Sequence, residues 1–443
     1  MFKGRSTPLL GAAILALTGC GSKATIDPRT QLGANPVLPE PQAYLVPPMD
    51  VPRAIGWADG QKPLVPVGLH VEALATGLLH PRVVYVLPNA DVLIVEANGP
   101  KAPVYRPKDK IANMVKAIGG SAAKGGNRIT LVRYGTDGKP TLRSVFLTGL
   151  KSPYGVALVG NDLYVANTDA VMRYPYVEGA THIDAPGVQL TELPGGPIDH
   201  HWTKSMVASA DGSKLYVGVG SNSNITENGF AVELNRAAVW EIDRATGASR
   251  LYATGLRNPT NLTLAPGGKL WAVVNERDEL GPDLVPDYMT SVKDGAFYGW
   301  PYSYYGQHLD PRVMPQRPDL VAKAIRPDYA LGSHVAALGI AWYDQAALPA
   351  GYRGGMFVGE HGSWDRTPVS GYKVVFVPFK DGKPAGLAQD VVTGFLAPGN
   401  TVHGRPVGLA VDKAGALLIA DDVGNTVWRV TGGKRTTFID PAR

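Results

Sequence analysis

Six times the chain repeats one phrase: a loop, a short hydrophobic strand, a turn built on Asp or Gly, and a second hydrophobic strand. The copies begin near Pro81 (PRVVYVLPNADVLIVEANG), Pro153 (PYGVALVGNDLYVANTD), His201 (HWTKSMVASADGSKLYVGVGSN), Arg257 (RNPTNLTLAPGGKLWAVVNER), Val335 (VAALGIAWYDQ, then GGMFVGEHG) and Arg405 (RPVGLAVDKAGALLIADD). A repeat this small cannot bury its own hydrophobic face. Closing the copies into a ring buries every face and protects the strand edges. The expectation is an all-β six-bladed β-propeller with its site at one mouth of a central channel. The 53 Gly and 37 Pro suit many short strands. The 443 residues alone would suggest two or three domains, but the repeats make 61–443 a single one.

Residues 1–19 read as a lipoprotein signal peptide. Lys3 and Arg5 precede an apolar run, Pro8 to Leu17, too short to span a bilayer. Leu17-Thr18-Gly19-Cys20 looks like a bacterial lipobox, and Cys20 is the only cysteine. The expectation is a periplasmic or cell-envelope lipoprotein that meets the membrane only through a lipid on Cys20; an ordinary secretory peptide is the alternative. Residues 20–60 read as a lipid-anchored, Pro-rich tether. The formal charge of +5 is small and scattered, which speaks against a nucleic-acid partner.

Two stretches break the repeat. Asn98 to Arg128 is rich in Lys and Gly and reads as a surface excursion. Arg277 to Arg326 reads as a functional insertion between the fourth and fifth blades; its Tyr302, Tyr304 and Tyr305 suit loop packing or stacking on a ligand.

The residue before each first strand should reach the same mouth. Those residues are Arg82, Tyr154, His201, Arg257 with Asn258, His334 and Arg405. Facing cations repel unless an anion neutralises them, and Arg presents a fork suited to carboxylates. A polyanionic ligand is one reading; solvated loop residues paired with local acids is the other. His201 rather than His200 should point inward, because neighbours in an extended segment face opposite ways.

The phrases DHHWTKSMVASADGSKLYVGVGS, ATGLRNPTNLTLAPGGKLW, VNERDELGPDLVPDY, FYGWPY, FVGEHGSWDRTP and HGRPVGLAVDKAGALLIADD carry a family likeness. The chain resembles the soluble pyrroloquinoline quinone (PQQ)-dependent sugar dehydrogenases, especially the sorbosone and aldose dehydrogenase branch. The resemblance implies PQQ and Ca²⁺ as cofactors, a small sugar as substrate, and a cytochrome or quinone as electron acceptor. It implies His201 as catalytic base, Arg257 and Asn258 on the quinone oxygens and a carboxylate, and Arg405 on a carboxylate. It implies Ca²⁺ on the backbone carbonyls of Glu276 and Arg277. Asp278, Asp283 and Asp287 follow at irregular spacing and read either as a further oxygen ligand or as surface acids of a polar insertion. Thr260 stands where the family often has Gln, and His403 where some members have Arg. His361 and Arg366 lie near a usual basic contact.

The residue types suit that chemistry. PQQ bears three carboxylates, Ca²⁺ takes oxygen ligands, and histidine titrates near neutrality. No GxSxG or GxGxxG motif points to a serine hydrolase or a nicotinamide enzyme. Two rivals remain. A metal-dependent lactonase of the same shape would use an acid cage drawn from Glu96, Glu276 and Asp421. A non-catalytic envelope propeller binding carbohydrate would have little need of His201.

Overall fold

The computed structural model describes residues 23–42, 49–101, 103–104, 106–135, 139–196 and 200–433. The expected signal peptide, residues 1–19, and Cys20 lie outside them.

The fold is all-β, as expected. Six antiparallel sheets carry the six repeats. Their first strands are Pro81–Val86, Val156–Val159, Lys204–Ala208, Pro259–Ala265, Ala337–Tyr343 and Pro406–Val411. The turns work through their acids. The Asp211 carboxylate accepts from Ser213 N–H at 3.1 Å, and Asp412 accepts from Ala414 and Ala416 N–H at 2.9 and 2.8 Å. Second strands such as Val92–Glu96, Gly355–Glu360 and Leu417–Asp421 are buried at every residue. They read as unbroken apolar runs because each sheet is covered on both faces by its neighbours. One hydrophobic cluster shows this: Phe357 and Phe376 of the fifth sheet meet Val71, Leu417 and Ile419 of the sixth.

The first strands of all six sheets line one central cavity of about 480 Å³. Each packs beside the next, and the sixth lies beside the first. The sixth sheet is completed by Leu69–Ala75, which pairs antiparallel with Thr426–Gly432. The two ends of the domain are thereby zipped together.

Three expectations change. The Arg277–Arg326 stretch is not simply an insertion: it contains Pro286–Ser291, the third strand of the fourth sheet, and is followed by the fourth strand, Tyr329–Ser333. The segment expected as a tether is bound to the domain. Leu32–Gly33 covers the free edge of Tyr329–Ser333, Thr25 N–H donates to Asp283 at 2.7 Å, and Arg53–Ala54 pairs with Thr401–Val402. The Asn98–Arg128 excursion forms helix α1, Pro107–Ile118. Pro107 opens it, the Asp109 carboxylate accepts from Arg106 N–H at 2.8 Å, and Gly119 closes it. Rather than projecting freely, α1 roofs the mouth of the channel.

Candidate functional site

A second cavity, about 470 Å³, lies at the end where the first strands begin. His200 and His201 enter it ahead of the third sheet, Arg257 ahead of the fourth, His334 ahead of the fifth and Arg405 ahead of the sixth. The loops after the second strands add Asn275 and Asp278 from the fourth sheet and His361 to Asp365 from the fifth. Ile111, Ala112, Val115 and Lys116 of α1, with Met49 and Val51, form the opposite wall.

The His201 ring is fixed by its hydrogen bonds. Nδ1 lies 2.8 Å from the Ser221 carbonyl and 2.9 Å from Ser221 Oγ, whose own hydrogen goes to the Ser223 carbonyl. Both neighbours of Nδ1 therefore accept, which places its hydrogen there and leaves the lone pair on Nε2. Burial, then the charge of Arg257, holds the imidazole well below its usual range, so it is neutral. Gly220 packs between His201 and Asn258 and has no room for a Cβ.

Arg257 is buried and largely satisfied from within. Its guanidinium donates to the carbonyls of Glu276 (2.6 Å) and Asn275 (3.2 Å) and to Asn224 Oδ1 (2.8 Å). Arg405 differs. It donates to the Gly362 carbonyl at 3.3 Å and lies over the Tyr372 ring at 4.8 Å. Its Nε has no hydrogen-bond partner, and among the described residues no carboxylate pairs with it. A buried, unneutralised guanidinium on a cavity wall is a seat for an anion.

The same cavity holds an acid–histidine trio. His334 Nδ1 lies 3.6 Å from Asp278 and 3.4 Å from Asp365, and the ligand atoms of all three fall within 4.8 Å of one another. Burial alone would lower His334, but Asp365 and Asp278 outweigh it and raise it to about 10. Burial pushes Asp365 up to about 7, and its Oδ1 has no partner. A second pairing lies beside Arg405. His361 Nε2 lies 3.0 Å from both oxygens of Asp422, which also receives Arg82. Burial, only partly offset by Asp422, keeps His361 low and neutral, with its lone pair on Nδ1.

Several expected residues stand elsewhere. Thr260 Oγ1 donates to the Ala337 carbonyl at 2.6 Å, tying the fourth sheet to the fifth rather than facing the cavity. Arg366 is spent on the carbonyls of Pro282 and Pro368 and on Asp283. Tyr154 lines the central channel, against Trp202, and Arg82 sits behind His361 on Asp422. Asn258 lies behind His201, its Oδ1 unpartnered. Arg277 is fully buried on Glu276, Asp310 and the carbonyls of Pro301 and Ser303, so its side chain props the GWPY loop. The Glu276 carbonyl, expected to face a metal, already receives Arg257. Asp283 and Asp287 are taken by backbone N–H groups; of these acids Asp278 alone lines the cavity. His200 also reaches the cavity edge, so strand alternation does not separate it from His201. His403 stacks on Trp57. Tyr304 and Tyr305 are buried in loop packing. The acids a lactonase would need do not meet: Glu96 pairs with Arg128, Glu276 with Arg277, and Asp421 accepts from Trp57 and Trp428. The repeat pattern gave no signal for Asp365 or Asp422, because both follow second strands.

The donor set fits a planar polyanion: an unneutralised arginine whose Nε has no partner, and room on the scale of a small cofactor. For a divalent cation the oxygens on offer are those of Asp278 and Asp365, not the Glu276 carbonyl.

An all-β frame with such a cleft defines a class of small-molecule-binding protein. The glucose/sorbosone dehydrogenase family model matches residues 78–363, and the chain belongs to that family, among the sugar oxidoreductases. A TrAA12-like model matches residues 319–433. An uncharacterized protein of Borreliella burgdorferi is 26% identical over 292 residues, 63% of this chain and 76% of that one. Among solved structures, the holo PQQ domain of pyranose dehydrogenase from Coprinopsis cinerea is similar with a TM-score of 0.68 at 19% identity, covering 86% of this chain and 99% of that one. The AA12 enzyme of Trichoderma reesei, in its iodide structure, gives 0.68 at 19%, covering 84% and 98%. The PQQ-bound aldose sugar dehydrogenase of Streptomyces coelicolor gives 0.53 at 16%, covering 83% and 99%. At these identities the likeness is one of fold.

Proposed function

We propose that the six sheets close as a six-bladed propeller, and that the protein is a PQQ- and Ca²⁺-dependent dehydrogenase oxidising an aldose or sugar aldehyde. The observation that carries this reading is the Arg405 guanidinium, buried on the wall of the same cavity as a neutral His201 and without a carboxylate partner. Arg405, with Lys116 of the roof, would hold cofactor carboxylates; Asp278 and Asp365 would hold the cation. The chemistry PQQ supplies when bound is acceptance of hydride from the sugar carbon. His201 Nε2 takes the hydroxyl proton, and its Nδ1 bond to Ser221 keeps the ring in that tautomer. The roof and the Met49–Val51 segment exclude water from the reacting groups. One observation favours a second proton acceptor: His361, oriented by Asp422 in the manner of an acid–imidazole pair. In the cell we place the protein in the envelope, anchored through Cys20, passing electrons to a cytochrome or quinone.

The test is reconstitution. Purified protein with PQQ and Ca²⁺ should reduce a dye only when sugar is present. His201→Ala should cut turnover roughly a hundredfold or more while cofactor affinity holds; the same loss in His361→Ala instead would move the base to His361. No sugar-dependent reduction, with PQQ unbound, would favour the non-catalytic reading.

A further inference from the structure

The insertion that builds the roof has an unusual charge. Residues 98–127 hold six basic residues (Lys101, Arg106, Lys108, Lys110, Lys116, Lys124) and one acid, Asp109. Their excess of five equals the formal excess of the whole chain, +5, so the remainder is balanced. The basic character of this protein is concentrated in one excursion beside the cavity mouth.

That excursion also exposes apolar surface. Ile111, Val115 and Gly119 turn toward the cavity. Beside them a second stripe runs through Ile111, Met114 and Ile118, the spacing of neighbours on a helix face. These three are 46%, 53% and 39% exposed, and Val104, ahead of the helix, is 46% exposed. A basic helix with an uncovered apolar stripe is complementary to a surface that is negative outside and apolar beneath, as an anionic bilayer is. At twelve residues α1 is too short to cross a bilayer, and no described helix is long and apolar enough to do so; such a helix lies in the surface plane.

The path of the N-terminal chain brings the same face to the membrane. Ala24 N–H donates to the Thr367 carbonyl at 2.8 Å, two residues past Asp365 on the cavity rim. Asp50 N–H donates to the Trp364 carbonyl at 2.8 Å, on that rim too. Cys20 lies four residues before Ala24, at most about 14 Å of extended chain. A lipid on Cys20 would therefore hold this end of the ring, and not the other, against the bilayer.

We infer that helix α1 and its flanks are a docking surface for an anionic membrane, which holds the cavity mouth at the headgroups. The test uses the full chain carrying Cys20→Ser, so that no lipid is attached, and Met114→Cys bearing a bimane label. Vesicles of phosphatidylglycerol or of phosphatidylcholine carry nitroxide-labelled lipid. The label should shift to the blue and be quenched on phosphatidylglycerol, several-fold more than on phosphatidylcholine, and high salt should reverse the effect. The same label at Val177, beyond the opposite end of the second sheet, should stay unquenched. Lys110→Glu with Lys124→Glu should weaken binding roughly tenfold or more. The inference is overturned if the label at position 114 stays as open to aqueous iodide with phosphatidylglycerol as without it. It is overturned equally if both vesicle types bind alike or charge reversal has no effect; the apolar run Pro8 to Leu17 would then be the membrane-seeking part, or the stripe would belong to a protein partner.

Discussion

Arg405 is the side chain whose environment says most about function. Its neighbours are a ring face and one long contact to a carbonyl, too little to compensate a buried cation. Arg405→Ala should weaken PQQ binding by roughly ten- to a hundredfold, the range of a lost charge-assisted hydrogen bond, as read by titrating the quinone's absorption. His201 makes a claim about pH. A base must be unprotonated to work, and burial with Arg257 holds this one well below 6.5. As pH falls through 6.5 it stays neutral, so the acid limb of kcat/KM should lie below that point; a limb centred at or above 6.5 would contradict the tautomer and charge assigned to it. At this scale His201, Arg257, His334 and Arg405 were legible because a repeat fixes what precedes each first strand. Asp365 and Asp422 were not, since loops after second strands differ from copy to copy. Thr260 and Arg366 misled, because a residue type suited to a ligand serves equally well to hold a carbonyl.

Elements carry a second lesson. The strands were readable from apolar runs bounded by Asp and Gly, but the partners of irregular segments were not. Nothing in the Lys- and Gly-rich composition of residues 98–128 said that they fold back as a roof. The neck that forces them to do so is steric: a Cβ on Gly125 would enter the backbone at Ala97 and Asn98, and Asn98 Nδ2 donates to the Ser121 carbonyl at 3.0 Å. Strand Gly355–Glu360 supplies a prediction about stability. Burial raises Glu360 to about 8, opposed by Lys373 and reinforced by Asp390 and Asp287, and its Oε2 has no partner. A carboxyl whose folded pKa exceeds its unfolded value binds more protons when folded, so stability falls as pH rises from about 4.5 to about 8. Denaturant midpoints for Glu360→Gln should decline less over that window than those of the parent; parallel curves would show that Glu360 titrates as in the unfolded chain.

At the scale of the molecule, one strand from the start of the domain completes the last sheet. The repeat count pointed to the ring, but not to which end of the chain would close it; the choice rests on Leu69–Ala75, whose alternation (Leu69, Val71 buried; His70, Glu72 exposed) matches the outermost position of a sheet. Val71 packs between the fifth and sixth sheets. Val71→Ala should cost roughly 1–3 kcal/mol, with fluorescence and circular dichroism reporting the same transition; separate transitions would mean that the sixth sheet unfolds independently of the ring. Closure matters for function because it brings Arg405, last in sequence, onto the same cavity as His201 and His334, which follow the second and fourth repeats. Calorimetric titration of the purified protein with PQQ in the presence of Ca²⁺ tests that convergence most directly. The account predicts saturable binding of one quinone per chain, weakened strongly by Arg405→Ala and little by His201→Ala. Absence of binding, or equal affinity in Arg405→Ala, would contradict it.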